Sequence, residues 1–212
     1  MSIYSDFGWY NTNDTDAHSY LLPRIIQLLE HRMDKTILDV GCGNGATANR
    51  LIKMGYNVWG IDASDSGVVV ANKQNPGRFF IQDITSEKLP DELKAKKFDI
   101  VISTEVIEHL YAPRSYINLI KGVLNDSGGE LIISTPYHGY LKNIALALSG
   151  KMDAHFTVLW EGGHIKFWSR KTLTDLLEEF DFKVLDFYGC GRLPYFWKSM
   201  LIRAKLKQST TL

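Results

Sequence analysis

The stretch Leu38-Asp39-Val40-Gly41-Cys42-Gly43-Asn44-Gly45-Ala46 decides how this chain is read. It leaves a short apolar run of strand length, residues 36–40, and enters residues 46–53, whose apolar spacing is helical. A strand that ends in closely spaced glycines and passes directly into a helix brings backbone close to a ligand. Glycine tolerates the sharp turn, and the helix start presents unpaired amide protons.

Outward from this loop the same alternation repeats. Leu21, Leu22, Ile25, Ile26 and Leu29 recur at helical spacing and predict a helix over 20–29. Strands are predicted at 57–61, 78–81, 98–103 and 129–134, with helices at 65–71 and 113–124. The latter starts on Pro113, where a missing amide proton costs little. Strands alternating with helices predict an α/β, doubly wound parallel sheet covered on both faces. Toward the end, a helix over 169–180 with Ser169 as its N-cap precedes strands at 182–188 and 195–207. The Gly-rich loop 189–193 between them is too short for a parallel crossover, so this last pair is antiparallel. Residues 136–167 break the rhythm and read as an insertion over one end of the sheet. The organisation expected is an N-terminal lid and helix (1–34), then one domain (35–212) carrying a lid insertion at about 136–167.

The 212 residues suit one domain. Lys plus Arg number 24 and Asp plus Glu 24, a net charge of zero that argues against nucleic acid as a partner. Cys42 and Cys190 have no metal-ligand spacing. No apolar run reaches membrane-spanning length, and the N-terminus lacks a basic start followed by an apolar stretch. A cytoplasmic location is therefore expected, with a small molecule as partner.

Alone, the glycine loop is ambiguous, because Gly41, Gly43 and Ala46 also satisfy a dinucleotide fingerprint. Electrostatics separates the two. Asp39 would repel a pyrophosphate, whereas S-adenosylmethionine has no phosphate and carries an ammonium and a sulfonium. Asp62, Asp83 and Glu105 also fall just past predicted strands, where ligands of open α/β sheets bind. A nucleotide-cofactor oxidoreductase, or a silent donor-binding module, stays as the competing class.

Four segments together resemble the ordered motifs of class I S-adenosylmethionine-dependent methyltransferases of the ubiquinone-biosynthesis O-methyltransferase type: 39–45, Gly60-Ile61-Asp62-Ala63-Ser64, Gln82-Asp83-Ile84 and residues 98–109. The resemblance covers roughly residues 35–205 and implies a Rossmann-like, seven-stranded sheet with an antiparallel last strand. It implies that Gly41, Cys42, Gly43 and Gly45 pack under the methionyl part of the donor near Asp39. Asp62, with Ala63 beside it, would hold the ribose, Asp83 and Ile84 the adenine, and Thr104 and Glu105 the sulfonium end. The acceptor expected is a small molecule, methylated on oxygen.

His109, His138 and His164 are the candidate bases, because each falls near the same end of the sheet and imidazole accepts a proton near neutral pH. Aromatic residues Tyr4, Phe7, Trp9, Tyr10 and Tyr20, with Tyr137, Tyr140, Phe156 and Trp160, are candidates for a lid. Glu105-Val106-Ile107-Glu108-His109 spaces two carboxylates three apart, one face of a helical turn. With His164 this gives Glu105, Glu108, His109 and His164 as a candidate set for Mg²⁺, Mn²⁺ or Zn²⁺. The set is similar to the Glu-x-x-Glu-His motif of small-RNA 2′-O-methyltransferases, but Leu110 stands where those have a further histidine. The simpler reading has Glu105 facing the donor, Glu108 packed at the sheet end and His109 orienting a loop.

Overall fold

The computed structural model describes residues 8–11, 16–86, 89–156 and 158–208. Tyr4, Phe7 and most of the N-terminal lid expected from the sequence lie outside them. The elements run α1 (Asp16–Leu29), β1 (Thr36–Val40), α2 (Ala46–Lys53), β2 (Asn57–Asp62), α3 (Asp65–Asn72), β3 (Phe79–Ile81) and β4 (Ile100–Thr104). There follow α4 (Pro113–Val123), β5 (Glu130–Pro136), α5 (Tyr140–Leu148), α6 (Met152–Phe156), α7 (Arg170–Glu179), β6 (Phe182–Cys190) and β7 (Ser199–Leu206). The seven strands form one sheet in the order β3-β2-β1-β4-β5-β7-β6. β7 is antiparallel to β5 and β6, and the other pairs are parallel.

Successive residues of a strand point to opposite faces, so a sheet covered on both faces needs unbroken apolar strands. Leu38, Val101, Leu131 and Ile202 face the layer of α4 and α7, with Tyr116, Ile120, Leu173 and Leu177. Ile37, Ile100, Ile132 and Leu201 face the second layer, formed by α1, α2 and α3 through Leu22, Ile25, Leu51 and Val68.

Several boundaries differ from expectation. α1 begins four residues before the predicted start, at Asp16. β3 begins at Phe79, and Phe98 makes only an isolated bridge to Leu124 before β4 starts at Ile100. β7 begins at Ser199 because residues 191–197 form the turn. The insertion is not irregular throughout, since it contains α5 and α6. Ser169 caps α7 as expected, its hydroxyl accepting from the Thr172 amide.

Candidate active site

A cavity of about 730 Å³ opens at the carboxyl ends of β1, β2 and β4. It lies beside the point where the strand order reverses, between β1 and β4. Gly41, Cys42, Gly43, Asp39, Asp62, Ala63, Ile84, Thr104 and Glu105 all line it. Gly41 has φ +78°, and a Cβ there would collide with a Val106 methyl, so only glycine fits.

Asp62 is tied by backbone. Its carboxylate accepts from the Gly43 amide and the Ser64 amide, each at 2.7 Å. Ser64, not Asp62, caps α3, accepting from the Gly67 amide. A carboxylate has about four lone-pair sites, so Asp62 keeps capacity for a ligand. Asp39 is buried and its Oδ1 has no hydrogen-bond partner among the described residues. Burial, then the neighbouring Asp62, pushes its pKa up to about 7. A cation beside Asp39 would relieve that penalty. Trp9 covers this end: its indole lies against Gly43 and Gly67, and its amide donates to Ser66 Oγ at 2.9 Å.

Two residues expected at the donor do not line the cavity. Asp83 is exposed, and its Oδ1 accepts from the Thr85 amide and hydroxyl, a local turn. Gly45 instead lets α2 and α3 approach, because a Cβ there would meet the Ala71 Cβ at 2.6 Å.

His109 and His164 line the opposite wall, and their ligand atoms and that of the fully buried Glu108, which does not itself line the cavity, all lie within 4.8 Å of one another. Glu105 does not join them. Its φ of +55° breaks the helical phase before the 3-10 turn Ile107–His109, so it shares no face with Glu108. Its carboxylate instead accepts from Ser134 Oγ (2.8 Å) and Ser199 Oγ (3.0 Å), and burial raises its pKa to about 7. Glu108 is buried; Thr135 Oγ1 donates to its Oε2 at 3.0 Å, while Oε1 has no hydrogen-bond partner among the described residues. Burial, then Glu105, raises its pKa well above the usual carboxylate range.

His109 Nδ1 lies 2.8 Å from the Gly162 carbonyl and 3.2 Å from that of Gly163. Carbonyls only accept, so Nδ1 carries the proton and the neutral ring turns the Nε2 lone pair elsewhere; that Nε2 is 4.0 Å from Glu108 Oε1. Burial lowers the His109 pKa, and burial, then His109, His155 and Lys142, holds His164 down to about 4. The Ile165 and Lys166 amides both donate to the Glu108 carbonyl, at 2.9 and 3.0 Å, which brings His164 to the turn. These anchors were not foreseeable from the sequence, because a backbone carbonyl leaves no residue-type signal. Nor were Thr135, Ser134 and Ser199, whose hydroxyls reach the two glutamates only through sheet pairing.

His138 is placed elsewhere. It is buried behind the cavity wall, stacked on Phe156 and edge-on to Phe167, and both ring nitrogens lack hydrogen-bond partners among the described residues.

The fold and the acid-lined cavity define a class I S-adenosylmethionine-dependent methyltransferase. A methyltransferase-domain family model matches residues 14–186, and the chain belongs to that family. It is 31% identical over 169 residues to the ubiquinone biosynthesis O-methyltransferase of Ruegeria sp. (strain TM1040), covering 76% of this chain and 66% of that one. With the Bartonella bacilliformis ubiquinone biosynthesis O-methyltransferase the identity is 31%, over 74% of this chain and 64% of the relative. The chain thus spans just under two thirds of the length of these relatives. Among solved structures, magnesium protoporphyrin IX methyltransferase from Synechocystis PCC 6803 with bound SAH superposes with TM-score 0.66 at 20% identity, over 88% of this chain and 82% of that one. The PH0226 protein from Pyrococcus horikoshii OT3 gives 0.68 at 20% identity, over 94% and 95%. These structures share the fold.

Proposed function

We propose that this chain moves the methyl group of S-adenosylmethionine to a hydroxyl of a small-molecule acceptor, with a divalent cation held by Glu108, His109 and His164. Asp39 takes the ammonium of the donor, Asp62 the ribose hydroxyls, and Ala63 and Ile84 flank the base. Thr104 and Glu105 border the sulfonium end. The methyl–sulfur bond breaks as the methyl–oxygen bond forms, the sulfonium becomes the neutral thioether of S-adenosylhomocysteine, and the hydroxyl's proton passes to water. Alignment supplies much of the rate, because the donor is already activated.

The observation that carries the acceptor reading is the buried, unpartnered Glu108 Oε1 facing two imidazoles. One carboxylate and two imidazoles suit a divalent ion of the first transition row. Such an ion would supply Lewis acidity to the acceptor hydroxyl. The carbonyls of Gly162 and Gly163 fix the ring of His109 for that role. The O-methyltransferase relatives support oxygen as the methylated atom. Residues 8–11 and 158–165 would close over the two substrates.

Thorough chelation tests the reading. Turnover on vicinal diphenols and other hydroxylated acceptors is expected to fall and to return on adding Mg²⁺, Mn²⁺ or Zn²⁺, while S-adenosylhomocysteine binding stays unchanged. Full turnover after chelation overturns the metal role.

A further inference from the structure

Glu105 is held in an unusual way. Its φ of +55° is left-handed, a conformation that is costly for a residue with a side chain. Its carboxylate accepts from the Ser134 and Ser199 hydroxyls, at 2.8 and 3.0 Å. A hydroxyl has one proton to give. The Ser199 proton goes to the carboxylate, so the Ser199 oxygen accepts from Tyr20, whose phenol oxygen lies 3.2 Å away. Tyr20 on α1, Ser199 at the start of β7 and Ser134 on β5 thus converge on one carboxylate from three distant parts of the chain. Hydroxyl protons directed at a carboxylate favour its charged form. The Lys142 ammonium acts in the same sense, and burial acts against them. Among the described residues Glu105 forms no ion pair, and no lysine or arginine lines the cavity.

The strand order fixes where this carboxylate stands. β4, which runs directly into Glu105, lies between β1, which carries Asp39, and β5, whose Thr135 holds Glu108. Asp39 and Asp62 line one part of the cavity, His109 and His164 the other, and Glu105 lines it at the end of the strand between them. With the donor in the first part and the acceptor in the second, the methyl group in transit passes beside Glu105. Donor and product differ there in charge, a sulfonium before transfer and a neutral thioether after it. We infer that Glu105, held by Ser134, Ser199 and Tyr20, is the counter-ion of the sulfonium and makes the cavity prefer the charged donor to its neutral product. This rests on the donor reading given above and adds a means of product release. Transfer discharges the cation, and the attraction to Glu105 ends with it. Ser134, Ser199 and Tyr20 act through Glu105 and are positioning residues.

Calorimetric titration with S-adenosylmethionine and with S-adenosylhomocysteine, without acceptor and at about pH 8.5 so that the carboxylate is ionised, tests this. Ammonium, ribose and adenine are common to both ligands, so the ratio of the two affinities isolates the sulfonium. The natural protein is expected to favour the donor by about tenfold or more. Glu105→Gln should abolish that preference by weakening the donor, with the product held within about twofold. Ser199→Ala and Tyr20→Phe should each lower the ratio by about two- to fivefold. Ser199→Thr restores the hydroxyl and should recover it. A merely structural role would weaken both ligands together and leave the ratio alone. Two results overturn the inference while the donor reading stands: a natural protein that binds both ligands equally, or a Glu105→Gln variant that keeps the natural ratio. A natural protein that binds neither ligand overturns the donor reading and the inference with it.

Discussion

The side of the cavity proposed for the donor is assembled mainly from one short span of chain, Asp39 to Ser64, and Asp62 there is tied by the amides of Gly43 and Ser64. The opposite side draws on residues 105–109, 134–135 and 162–166, held by long-range contacts such as those of Ile165 and Lys166 to Glu108. Both sides contain a buried carboxylate oxygen without a partner among the described residues, Asp39 Oδ1 and Glu108 Oε1. The first has another carboxylate nearby, and the second has two imidazoles. In the proposed function a ligand cation sits at the first and a metal ion at the second.

Separating the two sides by mutation has its largest expected effect at Glu108. Glu108→Gln keeps an acceptor for Thr135 but loses the charge. The turnover number should fall by about a hundredfold or more, with S-adenosylhomocysteine affinity within about twofold of normal. Equal losses in both would mean that the two sides are not separable.

Asp62→Ala should act in the opposite sense. Losing hydrogen bonds to a charged group costs about 1.5–3 kcal/mol, so S-adenosylhomocysteine should bind roughly ten- to a hundredfold more weakly. Calorimetric titration measures this, and an unchanged dissociation constant removes Asp62 from the ribose.

The smallest effect is a pH dependence at Asp39. Its pKa in the free protein is raised to about 7. An ammonium favours the carboxylate, so the complex binds fewer protons than the free protein. Affinity for S-adenosylhomocysteine should therefore rise with pH up to about 7 and level off above it, by at most about tenfold per unit. Asp39→Asn should flatten the profile. The same shift weakens the unliganded fold as pH rises from about 4 toward 7, because the folded state then holds the extra proton.

This division also explains what the sequence revealed. Glycine, acid and strand lie side by side in 38–46, and β1 and α2 matched their predicted bounds. Which of these residues line the cavity was therefore legible, apart from Asp83 and Gly45, whose side-chain space depends on Thr85 and α3. The side proposed for the acceptor was legible only as residue types. The positive φ of Glu105 and the carbonyls of Gly162 and Gly163 are backbone facts that tertiary contacts decide. α5 escaped notice because its apolar face does not point to the core.

The segment between β5 and His164 is fastened at both ends, by Tyr137 to Lys198 and by Ile165 and Lys166 to Glu108. Between those fasteners, added or removed residues change the closure entropy only as the logarithm of length, about 0.6 kcal/mol per doubling. The stretch 143–151, away from the bonds of Lys142 and from the cavity-lining Phe156 and Gly162, is thus an exchangeable cassette. Its outer surface can diversify while the imidazole of His164 is returned to the same place.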